Sequence, residues 1–159
     1  LRHFLVAGSQ AADHADPAKR VLMKPEMLWE IEHGQNLSAA EVHAASVIRS
    51  DWYRHLLGLF DRFDFLILPS AQVFPFDADL HWPESIAGRR MDTYHRWMEV
   101  VIGPTMAGLP VAAMPVGFGD NGLPAGIQII GRLQADRAVL QMAAAYEAAT
   151  DWLARMPAL

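Results

Sequence analysis

The stretch from Thr105 to Gly131, TMAGLPVAAMPVGFGDNGLPAGIQIIG, constrains this chain more than any other. Two apolar runs, Val111–Phe118 and Gly126–Gly131, flank a loop, Gly119–Pro124, that holds Asp120-Asn121-Gly122. Short apolar runs bounded by glycine and proline are the pattern of buried strands. Asn121-Gly122 supplies a turn, because both residue types tolerate positive φ. Pro110, Pro115 and Pro124 cannot donate to a sheet ladder, so they belong at strand starts or irregular positions. Pro115 lies inside the first run and predicts a strand that is shortened or irregular there. Alternation along the second run places Ile127 and Ile129 on one side, Gln128 and Ile130 on the other.

Around this stretch the apolar period changes to that of helices. Residues 1–12 carry Phe4, Leu5 and Ala12 in a helix-compatible register, and Ala15–Arg20 is a polar break around Asp16-Pro17. Met23–His33 reads as a helix, with Pro25 in its first turn and Gly34 as its C-terminal cap. Ser38 opens the longest helix, Ser38–Arg62. Ser38-Ala-Ala-Glu41 has capping-box spacing, and Val42, Ala45, Trp52, Leu56, Leu59, Phe60 and Phe63 follow a 3.6-residue period. Phe65–Leu68 is a short strand stopped by Pro69. Residues 69–90, rich in Pro, Asp, Gly and aromatics, read as a long ordered loop, a kind of segment that often carries function. Met91–Met106 is helical in its first part, with Asp92 as N-cap, and Gly103-Pro104 should end or break it. Asp136 caps a last helix, Arg137–Thr150. Helices interleaved with short buried strands argue for an α/β fold, with helices on both faces of a sheet.

At 159 residues the chain fits a single domain, residues 1–159, with a sizeable core. A hydrophobic content of 52% excludes a disordered polymer. No run approaches the ~20 apolar residues of a membrane helix, so no membrane span is expected. The net charge of −5 weighs against nucleic acid as a partner, because phosphate contacts need clustered Lys and Arg. The absence of cysteine removes disulfides, thiolate metal sites and a cysteine nucleophile, and fits a reducing, cytoplasmic setting. The first residues, Leu-Arg-His-Phe, read as a chain entered part-way.

Chemistry-bearing residues are sparse. The seven histidines show no two-histidine metal spacing, although His81 and His95 lie near the long loop. No metal or other cofactor is expected. The glycines near Gly117, Gly119 and Gly122 do not form a phosphate cradle. Gln128 is a polar residue in an apolar strand. It either satisfies buried backbone groups or orients a catalytic segment or a substrate. Of the aromatic residues in and after the long loop, Phe74 and Trp97 are placed to line an apolar pocket. Phe74, Trp97 and Gln128 are therefore the candidate substrate-binding residues.

Several segments together carry a family resemblance. These are Gly-Leu-Pro110, Pro115-Val-Gly-Phe118, Gly122-Leu-Pro-Ala-Gly-Ile-Gln-Ile-Ile-Gly131, Lys24-Pro25-Glu26 with Trp29-Glu30-Ile31-Glu32, Phe65–Ser70, and Thr93-Tyr94 with Trp97-Met98. Over nearly its whole length the chain resembles the C-terminal portion of the amidase signature family. The resemblance implies a mixed sheet sandwiched by helices. It also implies hydrolysis of small-molecule amides through a serine acyl-enzyme, with a second serine and a lysine. Nothing here matches that catalytic set: the only lysines are Lys19 and Lys24, and Gly8-Ser9 is a lone pair inside an apolar helical stretch. The expectation is a C-terminal part of a larger amidase that supplies fold and one pocket wall and holds no catalytic residue. The same fold serves the glutaminase subunit of tRNA-dependent amidotransferases, and a non-catalytic, truncated relative is a third possibility. Strands that lack partners should also promote self-association.

If Ile127 and Ile129 share a buried face, Ile129→Asp should cost several kcal/mol, because an unpaired charge is forced into an apolar layer. Soluble expression with an unchanged melting temperature would remove this strand from the core.

Overall fold

A computed structural model describes residues 2–155. The chain divides into two compact units, Leu1–Asp51 and Trp52–Leu159.

The first unit is helical: α1 (Arg2–Ala15), α2 (Pro17–Arg20), α3 (Pro25–Gln35) and the opening turns of α4 (Ala39–Phe60). The polar break proves to be a one-turn helix. Asp16 caps it by accepting the Ala18 N–H at 2.9 Å, and Pro17 takes the first position, where an N–H would have no partner. α1 packs on α3, burying Ala7 and Ile31. Gly34 does not end α3; the helix runs on to Gln35. The reason for glycine is proximity, since a Cβ there would overlap the His3 carbonyl and stand 2.7 Å from Ala7 Cβ. Glu30 is buried, with Oε1 2.8 Å from Arg2 Nε and 3.3 Å from His3 Nδ1.

The capping box forms as the spacing predicts. Glu41 N–H donates to Ser38 Oγ at 3.2 Å, and Ser38 N–H donates to Glu41 Oε2 at 2.8 Å. The Ser38 hydroxyl and then its backbone N–H hold the Glu41 carboxyl below the usual glutamate range. Because this value is lowered on folding, the contribution is present at neutral pH and is lost as pH falls through it.

The second unit is built on a three-stranded antiparallel sheet in the order β1-β5-β4, where β1 is Leu66–Pro69, β4 is Val111–Phe118 and β5 is Pro124–Ile130. All three expected strands are present. The parallel pairings that a mixed sheet also needs are not among the described strands. Residues 69–90 contain a small hairpin, β2 (Ser85–Ile86) and β3 (Arg89–Arg90). Ala87 and Gly88 both have positive φ, 49° and 79°, as its two-residue turn requires. β4 and β5 are joined through Gly119–Leu123. There the Gly122 N–H donates to Gly119 O, and Gly122 takes the positive φ expected of it.

Helices cover both faces of the sheet, giving an α/β architecture. Ile130 packs with Leu56 and Phe60 of α4, with Ala107 of α6 (Glu99–Ala107) and with Leu109. Ile129 is 0% exposed and by alternation faces the other way. That face meets α7 (Asp136–Ala149), which packs on β4 and β5. The Tyr146 hydroxyl donates to Pro115 O at 2.9 Å.

Three further helix boundaries differ from the expectation. Gly103-Pro104 does not break its helix; α6 continues to Ala107 and ends on Gly108, φ 67°. Gly103 is small because the Trp52 ring lies over it, with Trp52 Nε1 donating to Gly103 O at 2.9 Å. Asp92 does not cap the preceding one-turn helix α5 (Tyr94–Trp97); its carboxylate pairs with Arg96 Nε at 2.9 Å. Asp136 likewise is the first residue of α7 and not its cap.

Gly34→Ala should destabilise the first unit by about 1–3 kcal/mol, the usual cost of overpacking. Gly58, an α4 glycine with open space where a Cβ would stand, should respond oppositely: Gly58→Ala should stabilise by about 0.5–1 kcal/mol. Chemical denaturation of the two variants checks the contrast, and equal shifts would refute the close approach of α1 and α3.

Candidate functional site

One interaction holds the second unit's layers in place. Proline has no N–H, so Pro104 leaves the Val100 carbonyl, four residues earlier in α6, without its helical donor. Gln128 supplies one from β5. Its Nε2 donates to Val100 O at 3.3 Å and to Pro69 O, at the end of β1, at 2.8 Å. The residue is only 5% exposed.

The chain after Pro69 is fastened at two further points. The Ser70 N–H donates to Gly126 O at 2.9 Å. Gly126 has no room for a side chain, since a Cβ would stand 2.6 Å from Ser70 Oγ. Gln72 Nε2 donates to the carbonyls of Arg96 and Trp97 at 2.9 and 2.5 Å, gripping the end of α5.

Between this loop and the sheet lies a cleft of about 640 Å³, formed by residues 67–76, Trp97, Val116 and residues 124–127. Phe76 meets the Trp97 ring edge-on at 5.6 Å, and Trp97 meets Tyr94 in the same way at 6.0 Å. Phe74 lies against Gly119 yet is 56% exposed. Val116 reaches the cleft through a bulge. Pro115 pairs with Gly126 and Gly117 with Ala125, leaving Val116 as the extra residue. Bulges commonly re-aim a side chain in this way.

The structure thus brings Phe74 and Trp97 together in one cleft. Gln128 is not among its lining residues; it sits in the layer behind, bonded to the backbone carbonyls that end β1 and open α6. Ser70, Gln72 and Val116 also line the cleft and escaped the sequence reading. A Pro-Ser pair at a strand's end hinted at the first. A proline within the β4 run hinted at the bulge that presents the third.

The lining of the cleft is almost wholly apolar. Its only hydroxyl side chain is Ser70, and no Asp, Glu, His, Lys or Arg is among its lining residues. Lys19 is paired with Asp13, and Lys24 precedes α3.

Gln128→Leu should leave two buried carbonyls without that donor and destabilise the protein by about 1–3 kcal/mol. Gln128→Glu should cost more, because a carboxylate would face the two carbonyl oxygens. Thermal unfolding of the pair tests this, and near-wild-type stability of both would show that the amide is dispensable.

Comparison with known proteins agrees with this architecture. The Amidase family model matches residues 7–140. A glutamyl-tRNA(Gln) amidotransferase subunit of Dehalococcoides mccartyi is 32% identical over 142 residues, covering 85% of this chain and 27% of that protein. Fatty acid amide hydrolase of Medicago truncatula is 28% identical over 151 residues, covering 91% and 24%. The crystal structure of a bacterial aryl acylamidase, an amidase signature enzyme, superposes with a TM-score of 0.79 at 29% identity, covering 93% of this chain and 31% of that one. The chain therefore spans about a quarter of the length of these curated relatives and about a third of that solved structure. On the family match over most of its length, the chain belongs to the amidase family, the amidase signature enzymes.

Proposed function

We propose that this chain forms one wall of the substrate site of an amide hydrolase acting through a serine acyl-enzyme. In this reading the serine pair and the lysine belong to a part of the protein outside this sequence. The supporting observation is the cleft: apolar, shaped by a fastened loop and free of proton-transfer groups among its lining residues. Amide hydrolysis needs an activated nucleophile and a stabilised oxyanion, and such a wall can position a substrate for both. Phe74 and Trp97 touch the apolar part of the amide, and Gln128 orients the segment that carries the wall.

A second reading is the glutaminase subunit of a tRNA-dependent amidotransferase. The 32% identity to a protein of that kind favours it. A partner subunit would then contact the tRNA, because the net charge of −5 suits this chain poorly to phosphate. The missing cysteines favour a reducing, cytoplasmic location. No helix among the described residues is long and apolar enough to cross a membrane.

β1 and β4 terminate the sheet, and Ile67 on β1 is 54% exposed. Edges of this kind recruit further strands, so the isolated chain should self-associate. A clean monomer by light scattering at high concentration would count against that.

The activity assay treats the purified chain and the whole protein that carries it with aliphatic and aryl amides and a serine-directed probe. The chain alone should neither turn over amide nor take label, because uncatalysed amide hydrolysis is slow. The whole protein should do both, at a serine outside residues 1–159. Labelling of the chain alone would overturn this reading.

A further inference from the structure

We propose that the cleft admits amides that are uncharged on the part they press against this wall, and rejects those that carry an ionised group there. This deepens, and rests on, the reading of the cleft as the amide site.

The argument is one of missing counter-charge. Ser70, Gln72 and the Trp97 indole N–H are the only polar side-chain groups of the lining, and the Gln72 amide nitrogen is already engaged with two backbone carbonyls. The cation nearest in sequence to a lining residue is Arg96, beside Trp97. Its guanidinium is held between Asp92 and Glu99, 2.9 Å from each. The nearest acid in sequence is Asp77, after Phe76. It is exposed, and its carboxylate accepts the Asp79 N–H at 2.9 Å.

An ionised group placed on this surface gives up hydration and gains no opposite charge, which is strongly unfavourable. An aryl or alkyl group placed there gives up only apolar hydration, which favours entry. Glutamine, whose amide is in its side chain, carries both an α-ammonium and an α-carboxylate, so it is penalised twice. The wall therefore selects for neutral acyl or aryl amides and against glutamine.

The test uses the whole protein that carries this chain and a matched pair of anilides. Butyranilide ends in a methyl group, and succinanilate carries a carboxylate in its place. Turnover is measured for both and for glutamine, with protection of the serine from its probe as a second readout. The expected kcat/KM for butyranilide exceeds that for succinanilate by about 100-fold, and glutamine is poorer still. Phe74→Arg, at a position exposed enough to accept it, should narrow the anilide ratio about tenfold by supplying a cation. Phe74→Leu should keep the preference for the neutral substrate. Equal or better use of succinanilate or glutamine overturns the charge exclusion while leaving the amidase reading intact. No turnover of any amide and no labelled serine overturns both.

Discussion

Pro104 and Gln128 form a complementary pair, and the second unit's geometry depends on them. The proline removes a donor from α6 at Val100, and the glutamine returns one from β5 while also holding the end of β1. A buried carbonyl without a donor is costly. A side chain that serves two of them therefore fixes three elements relative to one another. The loop that begins at Ser70 starts from this anchored point, which is why a segment rich in proline and exposed aromatics can still hold a defined cleft.

What was legible in the sequence was local. The strands around Leu66, Val111 and Ile127 were readable because their apolar runs are bounded by glycine and proline. The start of α4 was readable because a capping box is complete within four residues. Gly34 was misread because glycine serves two purposes that look alike in sequence, positive φ and close approach, and only the packing of α1 on α3 separates them. Asp92 was misread as a cap because Arg96, four residues on, competes for the same carboxylate.

The cleft was half legible for the same reason. Phe74 and Trp97 stand out as aromatics in and just beyond a long loop. Their convergence depends on Gln72 reaching the end of α5, a tertiary bond with no sequence signature. Val116 enters the cleft only through a register shift, and Pro115 signalled an irregularity without showing which residue it would turn. Gln128 is anomalous in an apolar run, and one of its two partners exists only because Pro104 lies inside a continuing helix.

The bulge at Val116 has an evolutionary consequence. The extra residue lies outside the paired ladder, and its side chain is partly open to solvent, whereas Gln128, Ile129 and Ile130 farther along β5 are buried. A substitution at position 116 thus alters the cleft surface without disturbing a paired residue or the sealed layer behind it. Positions of this type can drift under selection for new substrates, while Ile129, Ile130 and Gln128 stay bound by the demands of packing.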